Sequence, residues 1–122
     1  MQSKNKLHLY NWKDSIYSLF MIEFLRATEP RREPIGIQLY LENEQIEEVI
    51  FFSEGSIDIG IRHKGKYGLL CEKQKNIVIG DHDCTFDHLS NFTYLTREEC
   101  HGIFVRKRHW KELLEKYSDI GK

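Results

Sequence analysis

The sequence predicts a mainly β fold, a barrel or sandwich of about seven short strands with a helix packed at each end. Two segments near the ends repeat apolar residues at helical spacing, and short apolar or alternating runs separated by turn residues fill the region between them. The chain has 122 residues, 40% of them hydrophobic, which suffices for a single domain with one core.

The first predicted helix covers residues 12–25, within an N-terminal helical segment assigned to residues 1–25. Asp14 or Ser15 is available to cap it. It ends before the stretch "TEPRREPIG", in which two prolines and a glycine exclude a helix. This helix either transmits a signal to a larger assembly or only covers one end of the β structure, and the sequence leaves both readings open.

The β region is assigned to residues 26–106, and the predicted strands within it are 37–41, 49–53, 56–62, 67–71, 76–79, 92–96 and 102–107. Ile57, Ile59 and Ile61 alternate with polar residues and glycine, which predicts one buried face. A C-terminal helical segment is assigned to residues 107–122, because apolar side chains follow one stripe from residue 110 to residue 117.

Composition excludes several classes of function. A net charge of -1 and a pI near 6.6 provide no basic surface for a nucleic-acid backbone. The sequence contains no recognisable catalytic motif, so we do not expect an enzyme. The basic run at residues 106–109 lies where the last predicted strand meets the C-terminal helix, and its side chains are predicted to face solvent. The three scattered cysteines suit a reducing compartment, and Cys71 and Cys100 are predicted to be core thiols.

Three stretches carry a resemblance to a known family: "EFLRATEPRREPIGIQLYLENEQIEEVIFFSEGSIDIGI", "NIVIGDHDCTF" and "CHGIFVRKRHWKELLEKYSDI". In order and spacing they resemble the cyclic nucleotide-binding domain over about residues 19–120. The resemblance implies a β-roll, a jelly-roll-like double-stranded β-helix of seven or eight short strands with flanking helices. The chain is most similar to the cytosolic domains of cyclic-nucleotide-gated, hyperpolarisation-activated and EAG-type channels, as a divergent, ciliate-like member.

Residues 80–91 correspond to the family's phosphate-binding cassette, in which helix amides and an arginine hold a cyclic phosphate and a glutamate holds the ribose. By this resemblance Thr85 stands at the glutamate position and Ser90 at the arginine position. The ligand would be cAMP or cGMP, with no other cofactor. The positions that match the cassette are Gly80, Asp81, Asp83, Cys84, Thr85, Ser90 and Asn91.

The charges of the cassette oppose that ligand. No lysine or arginine lies between Gly80 and Thr96, whereas Asp81, Asp83 and Asp87 do. At about 6 Å and an effective dielectric constant near 20, each carboxylate would cost a bound phosphate on the order of 2–3 kcal/mol before screening by salt. Ordinary cyclic-nucleotide binding therefore needs a basic residue from elsewhere, and Arg97 and Arg106 are the candidates.

A metal site is the other reading of this segment. His82, Asp83, Cys84, Asp87 and His88 are metal-ligand types, but their spacing matches no structural zinc pattern. A solvated acidic turn without a metal is expected. The aromatic residues, among them Phe86 and Phe92, are predicted to lie in the core, and Phe92 could fill part of a purine pocket.

The resemblance implies a cytosolic regulatory domain of a voltage- or cyclic-nucleotide-gated cation channel, expected to be a potassium channel, at the cytoplasmic face of a membrane. Its partners would be the rest of its own subunit and the neighbouring subunits. The alternative is an interaction or assembly module that keeps the β-roll and binds no small ligand. A third reading is the regulatory unit of a cyclic-nucleotide-dependent kinase. The missing arginine and glutamate argue against the third.

Overall fold

The computed structural model describes residues 12–63 and 65–117. Within these ranges it contains three helices and eight strands, labelled here in chain order. They are α1 (Trp12–Ala27), β1 (Thr28–Glu33), β2 (Gln38–Tyr40), β3 (Glu48–Glu54), β4 (Ile57–His63), β5 (Lys66–Lys73), β6 (Ile77–Ile79), α2 (Asp81–Phe86), β7 (Thr93–Thr96), β8 (Cys100–Arg106) and α3 (Lys107–Lys116). The outer parts of the two terminal segments, residues 1–11 and 118–122, lie outside the described residues.

The strands form two antiparallel sheets of four strands each, in the orders β1-β8-β3-β6 and β2-β7-β4-β5. Side chains from both sheets meet in one core, and Ile50, Phe52, Ile57 and Ile77 are almost completely buried there. The predicted mainly β class with flanking helices is therefore confirmed, and each predicted strand has a counterpart. No helix within the described residues has the length and apolar character needed to cross a lipid bilayer.

The predicted strands do not include β1, because Pro30 and Pro34 indicate a break in regular secondary structure there. The structure shows it at the edge of the first sheet, where it pairs with β8 and Pro30 lies opposite Ile103. Proline lacks a backbone N–H, and an edge strand tolerates this because one of its sides needs no partner. The prolines thus excluded a helix correctly and did not exclude a strand.

Helices α1 and α3 pack together on the face of the first sheet that points away from the core. Phe51 lies next to the buried Phe52 in β3, so its side chain points to this opposite face. Its ring is 5.7 Å from that of Phe24 in α1 and 6.3 Å from that of Trp110 in α3. Glu23 of α1 also pairs with Lys116 of α3. The two terminal helices therefore form one layer.

The structure contradicts two of the predicted core positions, Cys71 and Phe86. Cys71 is exposed, because β5 is the edge strand of the second sheet and most of its side chains face solvent. Phe86 is 58% exposed, because it lies on the outward side of α2 and contacts two histidine rings there. The prediction of a core thiol holds for Cys100, which is fully buried.

Candidate functional site

The cassette begins at Gly80, which starts helix α2. Gly80 is buried, has φ +89° in the left-handed region, and its carbonyl accepts a hydrogen bond from the Cys84 amide at 2.8 Å. A Cβ at this position would lie 2.7 Å from the Glu48 carbonyl oxygen and 2.7 Å from a methyl group of Ile46. Glycine is required both for the backbone conformation and for the close approach to β3 and the loop before it.

The side chains of α2 divide between the core and the surface. Cys84 is completely buried, its Sγ lies 3.6 Å from the Ile46 carbonyl oxygen, and burial raises the pKa of its thiol to about 11. The thiol is thus neutral and points inward, so Cys84 can offer only its backbone to a ligand at the surface. Asp81 and Asp83 occupy the first turn, where carboxylates complement the partial positive charge of a helix start.

The other end of α2 is tied to α3. Asp87 adopts a left-handed conformation, with φ 57°, and its N–H donates to the Asp83 carbonyl. The His88 N–H donates to that same oxygen at 3.0 Å, which makes this a Schellman-type helix end. The Asp87 carboxylate lies 2.5 Å from the Lys111 ammonium and 3.0 Å from that of Lys107. These contacts lower the pKa of Asp87, with Lys111 as the main cause.

A second link between the cassette and α3 passes through Thr85. Its hydroxyl donates to the Asp81 carbonyl at 2.6 Å and accepts a hydrogen bond from the Trp110 indole N–H at 2.9 Å. The Trp110 ring in turn packs against Phe24 and Phe51, at 6.4 Å and 6.3 Å between ring centroids. A continuous set of contacts therefore joins the cassette to α3, to β3 and to α1.

The two positions after the helix have different surroundings. Ser90 is fully buried, its backbone exchanges hydrogen bonds with Asn43 and Glu44, and its hydroxyl donates to the Phe92 carbonyl at 2.7 Å. Asn91 is exposed. The short serine at the expected arginine position therefore stabilises a turn, and its hydroxyl is occupied within that turn.

Phe92 is half-buried and packs against the core, with its ring 6.3 Å from that of Tyr94 in an edge-to-face arrangement. Burial raises the pKa of the Tyr94 phenol to about 12, so this side chain is neutral under physiological conditions. The predicted core role of Phe92 agrees with this packing.

Neither candidate arginine brings its charge to the cassette. Arg97 lies 3.2 Å from Asp58 and 3.1 Å from Glu72, and Arg106 lies 2.8 Å from Glu29. All three carboxylates belong to strands outside residues 80–91. Lys107 and Lys111 do reach the cassette, but both pair with Asp87. Among the described residues, no arginine or lysine pairs with a carboxylate in the first turn of α2, where the resemblance would place the cyclic phosphate.

The structure places five of the seven predicted site residues on the start and body of α2, and Ser90 and Asn91 after the turn that follows it. Sequence reasoning missed the contribution of α3. Trp110 was assigned to an apolar stripe and Lys107 to a solvated basic run, whereas both contact the cassette. The one available signal was the position of Trp110 and Lys107 on the same helix face, three residues apart.

No protein-family model matches the sequence, and no curated protein sequence is significantly similar to it. Solved structures do match its fold. The regulatory subunit of a cAMP-independent protein kinase A from Trypanosoma cruzi, bound to guanosine, has a TM-score of 0.72 at 17% identity. The match covers 84% of this chain and 37% of that one.

The catabolite activator protein of Thermus thermophilus has a TM-score of 0.70 at 11% identity, over 84% of this chain and 48% of that one. The regulatory domain of protein kinase A from Toxoplasma gondii, solved with cAMP, has a TM-score of 0.69 at 10% identity, over 76% and 36%. The chain thus spans less than half the length of these three proteins. It has the fold of cyclic nucleotide-binding domains, and none of the three is an ion channel.

Proposed function

We propose that this chain is a regulatory domain in which the cassette and the terminal helices change their packing together. The observation that carries the proposal is the hydrogen bond from the Trp110 indole to Thr85, at 2.9 Å, within a contact path that extends to Phe24. A partner or ligand that displaces α2 must break or move this contact. The resulting change in α3 and α1 would be the output of the domain.

In this proposal the domain does its regulatory work without binding a cyclic nucleotide. Asp81 and Asp83 lie in the first turn of α2, whereas Lys107 and Lys111 both pair with Asp87 at the opposite end of this helix. A phosphate placed at α2 would therefore meet uncompensated carboxylates. This favours an interaction module that retains the β-roll for coupling over a sensor of cAMP or cGMP.

A second candidate is a sensor of an uncharged ligand. The Trypanosoma cruzi kinase subunit of the same fold is bound to guanosine, a nucleoside without a phosphate group. A nucleoside avoids the repulsion that Asp81 and Asp83 would impose on a cyclic nucleotide. The acidic cassette is the observation that favours this candidate.

We propose that the domain belongs to the cytosolic part of a cation channel, at the inner face of a membrane. Its partners would be the rest of its own channel subunit and the neighbouring subunits. The sequence resemblance over about residues 19–120 supports this setting. Helices α1 and α3 provide the surface through which such a domain would contact a larger assembly, because they form one layer on the outside of the first sheet.

The coupling can be tested by replacing Thr85 with valine, which keeps the side-chain shape and removes the acceptor for the Trp110 indole. In nuclear magnetic resonance spectra of the chain, the Trp110 indole N–H signal should shift and exchange faster with solvent. Backbone signals of α1 around Phe24 should shift as well. The matched control is Thr93→Val, since the buried Thr93 hydroxyl has no hydrogen-bond partner among the described residues and lies in β7.

If Thr85→Val changed only its immediate neighbours in α2, while the signals of Trp110 and of α1 stayed in place, the coupling path would be refuted. Equal changes in α1 for the Thr85 and Thr93 variants would also refute it, because the effect would then be a general loosening of the fold.

A further inference from the structure

The end of helix α2 brings three metal-ligand side chains together on the outside of the molecule. His82 and Asp83 are neighbours in α2, and the left-handed turn at Asp87 folds the chain back so that His88 lies beside them. The rings of His82 and His88 are 5.3 Å apart. One ligand atom from each of the three residues lies within 4.8 Å of the other two.

We propose that His82, Asp83 and His88 form a binding site for a divalent transition-metal ion, with Zn²⁺ as the ion that fits the ligand set best. Two imidazole nitrogens and one carboxylate oxygen are an established three-ligand set for zinc, with water in the fourth position. Tetrahedral zinc with bonds of about 2.0–2.1 Å requires ligand atoms about 3.3 Å apart. Both histidines are exposed, so neighbouring core side chains do not prevent their rotation toward a shared ion.

The surroundings of the three residues support a cation. The backbone holds them in place, because the amides of Asp87 and His88 both donate to the Asp83 carbonyl. Asp81, which is exposed in the first turn of the same helix, adds negative charge. The nearby ammonium groups of Lys107 and Lys111 are paired with Asp87 and so oppose a cation less. Two other residues of this segment have side chains that can bind metals, but Cys84 is buried and Asp87 forms a salt bridge. Neither is therefore assigned to the site.

This inference goes beyond the proposed regulatory function and does not depend on it. The sequence predicted no metal, since the spacing of the histidines matches no structural zinc motif. The structure changes that view because the Schellman-type turn, which the spacing does not reveal, places His88 back against α2. Imidazole ligands favour zinc over magnesium, which prefers oxygen ligands.

The test is a calorimetric titration of the whole 122-residue chain with Zn²⁺, in a buffer that does not bind the metal, with Mg²⁺ titrated in parallel. We expect one equivalent of Zn²⁺ to bind and no Mg²⁺ at the same concentrations. His82→Gln and His88→Gln should each weaken Zn²⁺ binding at least about tenfold, because each removes one of three ligands. Co²⁺ can replace Zn²⁺ as a coloured probe of the same site. The visible absorption of the Co²⁺ complex should be lost in the same two variants.

Two control variants separate this site from other zinc ligands on the surface. His101→Gln removes a histidine that pairs with Glu99 instead, and Cys71→Ser removes the exposed thiol, and both should leave Zn²⁺ affinity unchanged. Melting temperatures without metal should be equal for all four variants. The proposal is overturned if the wild-type chain binds no Zn²⁺, if both cluster variants bind it as the wild type does, or if affinity falls instead in either control.

Discussion

Replacing Gly80 with alanine should lower the free energy of unfolding by about 3 kcal/mol. The backbone at Gly80 has φ +89°, which costs an alanine about 1–2 kcal/mol. The added Cβ would also lie 2.7 Å from the Glu48 carbonyl oxygen, which belongs to the backbone and cannot move without distorting β3. Thermal unfolding followed by circular dichroism should show a melting temperature lower by roughly 10 °C or more.

Gly36 offers a matched control for this experiment. Its φ is +81°, close to that of Gly80, but a Cβ there would meet no atom within 4 Å. Gly36→Ala should therefore lose only the conformational contribution, about 1–2 kcal/mol. Equal losses in the two variants would show that the close approach of Gly80 to Glu48 is not present in solution, and the described start of the cassette would then be wrong.

Replacing Trp110 with alanine should have a similarly large effect, also of about 3 kcal/mol, which lies within the usual range for removing a packed tryptophan. The indole contacts Phe24 and Phe51 and donates to Thr85, so its loss removes packing between α3, α1 and β3 together with a link to α2. Urea unfolding should show a lower midpoint with a similar slope.

Trp110→Phe separates the two contributions of the indole, because phenylalanine retains most of the ring packing and lacks the N–H. We expect a loss of about 1 kcal/mol from the hydrogen bond, plus a smaller packing loss. In a double-mutant cycle, Trp110→Phe and Thr85→Val should be less damaging together than the sum of the two single changes. Full additivity would contradict a direct contact between Trp110 and Thr85.

The strands could be predicted from the sequence because their signals are local. Ile57 and Ile59 alternate with polar residues, and the turn residues around each strand mark its ends. Strand β1 could not be predicted in the same way. Its stability comes from pairing with β8, which lies about 70 residues further along the chain, and its proline is acceptable only because that pairing leaves it at an edge.

The candidate site was predicted in part. Gly80 was identified as the start of the cassette, and the structure shows a left-handed glycine that opens a short helix there. The inward direction of Cys84 and the contact of Trp110 with Thr85 depend on how α2 and α3 pack. Sequence spacing carries no information about that packing, since residues 85 and 110 belong to different elements separated by two strands.

The resemblance also gave a correct fold from motifs that are individually weak. Its order of elements and its glycine positions reflect the backbone, which distant structures share with this chain at 10–17% identity. The charges of the cassette differ from those of the family, because it has aspartates and lacks the arginine. A shared backbone therefore leaves the ligand undetermined, and the ligand has to be argued from Asp81, Asp83 and the paired lysines.

We propose that this chain, which has the fold of cyclic nucleotide-binding domains, does not bind cyclic nucleotides at its acidic cassette. Thermal unfolding of the purified chain with cAMP, with cGMP and with guanosine, each raised to millimolar concentration, tests it most directly. A ligand at 100 times its dissociation constant adds about 2.7 kcal/mol, which is a melting shift of several degrees for a domain of this size. We predict no saturable shift with cAMP or cGMP, and a shift with guanosine alone would favour the nucleoside sensor over the ligand-free module. A saturable shift of several degrees with either cyclic nucleotide would contradict the claim.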